Sequence, residues 1–80
     1  MNIGQAIQLA RSKRKLCQAA LAKRAGISVS YLSLLERGRR DPPLSTLQRI
    51  AAALVMPVEI LFFLGAEEGE LGHLNRDLAG

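Results

Sequence analysis

The chain has 80 residues, of which 49% are apolar and 22% are charged. This size and composition fit one small globular domain and exclude two packed domains. Leu, Ala and Ile dominate, and the only aromatic residues are Tyr31, Phe62 and Phe63. Such usage favours helices over sheets, so we expect an all-α fold.

The sequence offers little chemistry of its own. A single cysteine, Cys17, and a single histidine, His73, allow neither an internal disulfide nor a Cys/His zinc site. No phosphate-binding glycine loop or catalytic set is present, so we expect no enzyme, no metal and no cofactor. Residues 1–15 contain Gln5, Gln8 and four basic residues where a signal peptide would need an apolar run. We therefore expect a cytoplasmic protein.

Positive charge is concentrated in the first half of the chain. The net charge is +4, but residues 1–40 hold nine Lys and Arg against Glu36 alone and so carry +8. Residues 41–80 hold two basic and six acidic residues and carry −4. A polyanion would be attracted to the first half, although charge alone fits a solvated basic surface equally well.

Apolar residues recur at helical spacing in five segments: 3–14, 18–25, 29–37, 44–54 and 57–64. Gly26 and Gly38 can take the left-handed conformation that ends the second and third helices, and Ser28 can cap the third. The Pro42-Pro43 pair predicts a loop before the fourth helix. Pro57 suits the first turn of the fifth helix, and Gly65 is its expected stop.

Residues 50–66 are mostly apolar, which raises the possibility of a membrane anchor. The run is shorter than the roughly 20 residues that a span requires. It also contains Pro57 and Glu59, which are costly inside a bilayer. We therefore expect no membrane association.

The last segment, residues 65–80, is a tail on a domain that we place at residues 3–64. Leu71, Leu74 and Leu78 recur at helical spacing and predict a sixth helix. Gly69 and Gly72 weaken that helix, so disorder is an equal alternative.

The second and third helices have the residue sizes that a helix-turn-helix requires. Ala22 is small where the third helix must pack, Gly26 allows the tight turn, and Ile27 fills the corner. Leu32 and Leu35 fasten the third helix to the core. The residues left facing outward are Val29, Ser30, Ser33 and Leu34.

The segment QAALAKRAGISVSYLSLLERGRRDPPLSTLQRIAAAL, residues 18–54, resembles the DNA-binding domain of the phage Cro/repressor (Xre-like) family. The resemblance covers about residues 5–63. It rests on a combination of residues at family positions: Gln18, Ala22, Gly26, Ser28, Tyr31, Glu36, Arg37, Gly38 and Pro42. It implies a five-helix, lambda-repressor-like domain that binds double-stranded DNA, with the helix-turn-helix at about residues 18–37.

The resemblance also implies roles for individual residues. Gln18 matches a glutamine that contacts phosphate, at a helix start whose free N–H groups suit an anion. Val29, Ser30 and Leu34 match positions that reach base edges in the family, and Tyr31 and Ser33 flank them. Ser28, at the start of the third helix, is also expected among the DNA-binding residues. Arg37, Arg39 and Arg40 match residues that lie along the DNA phosphates.

A further family feature is an ion pair that orients the recognition helix. Arg11 of the first helix and Glu36 at the end of the third match the two partners. The alternative for Arg11 is a plain phosphate contact.

Four positions depart from the family pattern. Cys17 stands where Ser or Thr usually caps the second helix, so we expect a weaker cap and a small buried or semi-buried thiol, with redox sensing as the alternative. Val55 replaces a frequent glycine, so we expect the fourth helix to end without a left-handed residue. Val29 and Leu34 replace polar side chains, which leaves contact with thymine methyls and DNA shape as the means of readout.

The fifth helix has two apolar faces. Val58, Leu61 and Phe62 share one face and are expected to complete the core. The opposite face carries Ile60, Phe63 and Leu64, which we expect to form a homodimer interface because monomers rarely expose such clusters.

These features predict a homodimeric regulator that represses transcription at a pseudo-palindromic operator. One alternative is an antitoxin that represses its own operon and binds a protein partner through its acidic, leucine-bearing tail. A restriction-modification controller is another.

Overall fold

The computed structural model describes residues 1–66, and all regular structure within them is helical. The helices are α1 (Ile3–Lys13), α2 (Gln18–Ala25), α3 (Val29–Glu36), α4 (Leu44–Ala53) and α5 (Val58–Gly65). The expected all-α, five-helix architecture is confirmed, and every helix bound lies within one residue of its expected place. The predicted sixth helix, and with it the tail as a protein-binding segment, lies outside the described residues.

Short side chains begin the first three helices. Asn2, Cys17 and Ser28 each accept a hydrogen bond from the backbone N–H three residues later, at 3.0, 3.4 and 3.0 Å. The thiol of Cys17 therefore does cap α2, with sulfur as a weak acceptor. It is exposed, so the expectation of a buried or semi-buried residue is wrong. The exposure follows from the capping role, because a capping side chain lies at the open end of the helix, beside N–H groups that face solvent.

The last two helices follow prolines and have no side-chain cap. Pro43 and Pro57 occupy the capping positions of α4 and α5 with extended backbones, ψ 158° and 146°. Pro57 thus precedes α5 instead of forming its first turn. Proline fits here because its missing N–H removes a donor that the helix would leave unpaired.

Val55 ends α4 in the left-handed conformation, with φ 57°, which contradicts the expectation that no left-handed residue would stand there. The N–H groups of Val55 and Met56 donate to the carbonyls of Ala52 and Ala51, both at 3.0 Å. This pairing is the Schellman motif, which requires a left-handed residue whatever its side chain. The short turn into α5 imposes this geometry on a β-branched residue.

The core lies where α1, α3 and α5 meet α2 and α4. Helix α1 packs against α3 and α5, and α2 packs against α3 and α4. The largest fully buried side chains come from all five helices: Ile7, Leu21, Leu32, Leu35, Ile50, Leu54 and Leu61. This core supports α2 and α3 from behind and leaves their opposite surfaces open.

Helix α5 lies across α1 at close range. The N–H of Asn2 donates to the carbonyl of Gly65 at 2.6 Å, and a Cβ on Gly65 would stand 2.9 Å from the Asn2 oxygen. Gly65 therefore ends α5 as the residue that allows this approach, with Ala66 turning to an extended backbone. The same approach covers Leu64, which packs half-buried against the core. The expectation that Leu64 faces outward is wrong.

The remaining faces of α5 agree with the expected division. Leu61 is fully buried, and Val58 and Phe62 pack half-buried against the core. Ile60 and Phe63 are 43% and 63% exposed. Two large apolar side chains, rather than three, thus form the outer face of this helix.

Within residues 1–66, no single helix is long and apolar enough to cross a membrane. Helices α4 and α5 meet the length and composition criteria only when they are taken together, and the chain bends by 103° between them.

Candidate nucleic-acid interface

The corner between α2 and α3 is built from small residues. Ala22 is 1% exposed, and its carbonyl accepts a hydrogen bond from the N–H of Ile27 at 3.0 Å. Gly26 between them has φ 71°, which a residue with a Cβ adopts only with strain. A methyl group at position 22 and a left-handed glycine at position 26 therefore allow the close helix-turn-helix packing.

Arg49 of α4 fixes this corner from outside. Its Nε donates to the carbonyl of Ala25 at 3.0 Å and its Nη2 donates to the carbonyl of Gly26 at 2.9 Å. An arginine here satisfies carbonyls that the end of α2 leaves without helical partners and complements the negative end of the helix dipole. Sequence reasoning missed this role because the partners are separated by more than 20 residues.

The outward surface of α3 forms a shallow concavity of about 410 Å³ together with the start of α2. Val29 is 44% exposed and Ser30 is exposed, whereas Ser33 and Leu34 are half-buried. The concavity is lined by six of the residues predicted to contact DNA: Gln18, Val29, Ser30, Ser33, Leu34 and Arg37. The structure thus brings these predicted residues together on one surface.

Ser28 and Tyr31 do not line the concavity. The Ser28 hydroxyl accepts the capping hydrogen bond from the Tyr31 N–H at 3.0 Å. The Tyr31 side chain is half-buried and packs against the core. The structure therefore gives both residues roles in holding the start of α3, at the edge of the predicted contact surface.

Glu36 joins the end of α3 to α1 and α2. Its Oε2 accepts from Arg11 Nε at 2.8 Å, and its Oε1 accepts from Arg11 Nη2 at 3.0 Å, which makes a bidentate pair. The same Oε1 accepts from Gln18 Nε2 at 3.0 Å. The carboxylate side chain is 1% exposed. The structure thus brings Arg11 and Glu36 together, as the family resemblance implied.

The Arg11 guanidinium is fully engaged within the protein. Its Nη1 donates to the carbonyl of Leu16 at 2.9 Å, in addition to the two bonds to Glu36. Hydrogen bonding to Glu36 raises the pKa of Arg11 above its ordinary value. These bonds favour the structural role of Arg11 over a plain phosphate contact.

Four further arginines fall into two groups. Arg14 is used internally, because its Nε and Nη2 donate to the carbonyls of Leu54 and Val55 at 2.8 and 3.1 Å. Arg37, Arg39 and Arg40 are exposed at the end of α3 and in the loop that follows. Arg37 lines the concavity, and the exposed charges of the three residues suit a row of phosphates.

The comparisons with known proteins agree with this geometry. A family model described as helix-turn-helix matches residues 7–61. The chain belongs to this helix-turn-helix family. The predicted resemblance to phage Cro/repressor (Xre-like) regulators is thereby confirmed, and the family comprises DNA-binding transcriptional regulators rather than enzymes.

Individual helix-turn-helix relatives include a phage repressor. An immunity repressor protein of Bacillus phage phi105 is 46% identical over 61 residues, which cover 76% of this chain and 42% of the repressor. The chain thus spans less than half the length of that relative.

Solved helix-turn-helix structures show the same fold. The restriction-modification controller protein C.AhdI from Aeromonas hydrophila superposes with a TM-score of 0.75 at 33% identity, covering 76% of this chain and 92% of that chain. SinR, the master regulator for biofilm formation, in complex with DNA, superposes with a TM-score of 0.71 at 34% identity. This match covers 75% of this chain and 97% of that chain.

Proposed function

We propose that this chain binds double-stranded DNA through α2 and α3 and represses transcription by occupying an operator as a homodimer. The observation that carries the proposal is the open concavity on α3, which the exposed Arg37 lines. Arg39 and Arg40 are exposed in the loop that follows α3. In helix-turn-helix proteins the recognition helix enters the major groove and its N-terminal residues meet the base edges. We also propose that the protein acts in the cytoplasm.

The pairing of the second copy is supported by α5. Ile60 and Phe63 leave an apolar surface that α5 does not need for its own packing. Burying one such side chain contributes about 1.5 to 3 kcal/mol, and a two-fold contact repeats the gain on both copies. Such a dimer presents two recognition helices to half-sites roughly 34 Å apart.

The DNA contact is tested with the double variant Arg39→Ala and Arg40→Ala. Log affinity falls linearly with log salt concentration, and each phosphate contact that is lost should reduce the steepness of this fall by about 0.9. We therefore expect weaker binding to specific and random duplexes alike and a slope that is shallower by up to about two, measured by fluorescence anisotropy.

The matched control is the double variant Lys23→Ala and Arg24→Ala. It removes the same charge from the last turn of α2, at the end of the helix away from Gln18. Equal losses in the two variants would show that only the net charge matters. Unchanged binding in the Arg39→Ala, Arg40→Ala variant would show that the loop after α3 does not contact DNA.

A restriction-modification controller is the second candidate function. It is favoured by the similarity to C.AhdI, 92% of whose chain is covered by the match. The two candidates differ in the genes they control. Mapping the bound sites in the source genome separates them, because a controller binds beside methyltransferase and endonuclease genes.

A further inference from the structure

The exposed surface of α3 carries methyl groups and hydroxyls but no side chain that can make paired hydrogen bonds to a base. Val29 and Leu34 are aliphatic, and Ser30 and Ser33 each offer one hydroxyl. Guanine and adenine are normally selected by two parallel hydrogen bonds from Arg, Lys, Asn or Gln. The centre of this surface lacks all four residue types.

The two larger polar side chains that line the concavity stand at its margins. Gln18 begins α2, the helix that crosses the DNA backbone in this motif, and its amide nitrogen donates to Glu36. Arg37 follows the last residue of α3, and its Nε donates to the carbonyl of Ser33 at 3.3 Å. Base edges are met by the N-terminal part of the recognition helix, where Val29 and Ser30 lie. Ser33 and Leu34 extend the same surface one turn further along α3. Base contact therefore falls to the aliphatic and hydroxyl residues.

Aliphatic side chains recognise one feature of the major groove, the methyl group on C5 of thymine. A 5-methylcytosine carries the same methyl at the same ring position. The two bases differ in the neighbouring group, which is an acceptor O4 in thymine and a donor amine in cytosine. A serine hydroxyl both donates and accepts, so Ser30 and Ser33 can pair with either group.

We propose that α3 reads the C5-methyl group of a pyrimidine through Val29 and Leu34 and does not distinguish thymine from 5-methylcytosine. This inference rests on the proposed function, because it specifies how the same surface selects its DNA. Its consequence is that methylation of cytosine creates binding sites that unmethylated DNA of the same sequence lacks.

The test uses the duplex that the protein selects from a random-sequence pool. Each thymine in its half-sites is replaced in turn by uracil, cytosine or 5-methylcytosine, with guanine opposite the cytosines. Removing one buried methyl should weaken binding about fourfold, and removing it from both half-sites about 15-fold. Uracil and cytosine should both show this loss at the contacted positions, and 5-methylcytosine should restore affinity to within about twofold of thymine.

Two variants assign the effect to residues. Val29→Ala and Leu34→Ala should each bring the thymine-to-uracil affinity ratio closer to one. Val55→Ala and Leu9→Ala are matched controls, since these exposed apolar residues lie outside the concavity, and they should leave the ratio unchanged. Circular dichroism establishes whether each variant is folded. If Leu34→Ala does not fold, the test relies on Val29→Ala alone.

Three outcomes would overturn the inference: uracil is tolerated at every position, 5-methylcytosine binds no better than cytosine, or the wild-type ratio survives in both alanine variants. Failure to enrich any sequence from the pool would instead contradict the sequence-specific binding on which the inference rests. Failure of the proposed function looks different, because the wild-type protein would then show no salt-dependent binding to any duplex.

Discussion

Glu36 connects three helices through a single carboxylate. It holds the Arg11 guanidinium in a bidentate pair and accepts a hydrogen bond from Gln18. Because the carboxylate is buried, each donor it satisfies would otherwise lose its partner in a region with little water. The position of the start of α2 relative to α3 therefore depends on this residue.

Replacing Glu36 with Ala should lower the free energy of unfolding by about 2 to 3 kcal/mol, since a partly buried guanidinium is left unpaired. DNA affinity should fall as well, because Gln18 loses the acceptor that orients its amide. Urea unfolding and anisotropy titrations measure the two effects. Glu59→Ala, at an exposed carboxylate on α5, is the control. A Glu36 variant as stable as that control would contradict the structural role.

Val55, in contrast to Glu36, adopts a backbone conformation that is unfavourable for its own side chain. It is 76% exposed and holds φ 57° in the turn after α4. A left-handed backbone costs a residue with a Cβ about 1 to 2 kcal/mol, and a β-branched side chain is among the least suited to it. The cost is accepted because the turn satisfies two carbonyls of α4.

Val55→Gly should therefore stabilise the protein by about 1 kcal/mol, even though glycine ordinarily loses more entropy on folding. Thermal unfolding followed by circular dichroism should show a higher Tm. Val55→Ala should give a smaller gain, because alanine keeps the Cβ. A lower Tm for the glycine variant would show that the valine side chain makes a stabilising contact.

At the scale of elements, the contact between α1 and α3 depends on Gly4. A Cβ at this position would lie 2.4 Å from the Leu35 oxygen and 2.8 Å from the Glu36 oxygen. Both are backbone atoms, so the helices would have to separate to admit a methyl group. The last turn of α3 is thereby fixed against the first turn of α1.

Gly4→Ala should destabilise the fold by about 1 to 3 kcal/mol through overpacking. The sign is informative, since the same change in an unhindered helix stabilises by about 0.5 to 1 kcal/mol. Urea unfolding measures the change, with Gln5→Ala on the exposed side of α1 as the control. A stabilised Gly4 variant would show that the two helices do not pack this closely.

The helices were predictable because local sequence signals mark where each of them begins and ends. Gly26 and the Pro42-Pro43 pair act through their own backbones, and Ser28 acts through a hydroxyl that bonds the N–H three residues later. These effects can be derived without the fold. The residues of α3 that face outward followed from helical periodicity in the same way.

Two of the features that the sequence did not reveal depend on contacts between distant segments. Whether Leu64 is covered depends on how α5 crosses α1, and the clamp of Arg49 on α2 joins residues with no sequence relation. The conformation of Val55 was missed because the closure of the turn overrides the preference of the residue. The pairing of Arg11 with Glu36 was anticipated only through the family resemblance.

At the scale of the whole molecule, the proposed function requires two copies to join. The exposed surface of Ile60 and Phe63 is separate from the core, so it can be altered without emptying the interior. Changing both residues to Glu should give a folded monomer with wild-type helicity and strongly reduced operator affinity. Sedimentation equilibrium and circular dichroism measure these properties, and Val55→Glu controls for an added charge at an exposed apolar site.

A double variant that remains dimeric would place the interface elsewhere. One that unfolds would show that Ile60 and Phe63 contribute to the core.

The central claim is that two recognition helices read a two-fold operator. Selection of bound duplexes from a random-sequence pool tests it most directly. We expect enrichment of a pseudo-palindrome whose half-site centres lie about 10 base pairs, or one helical turn, apart. Recovery of unenriched sequences, or of a single half-site without a partner at that spacing, would contradict the claim.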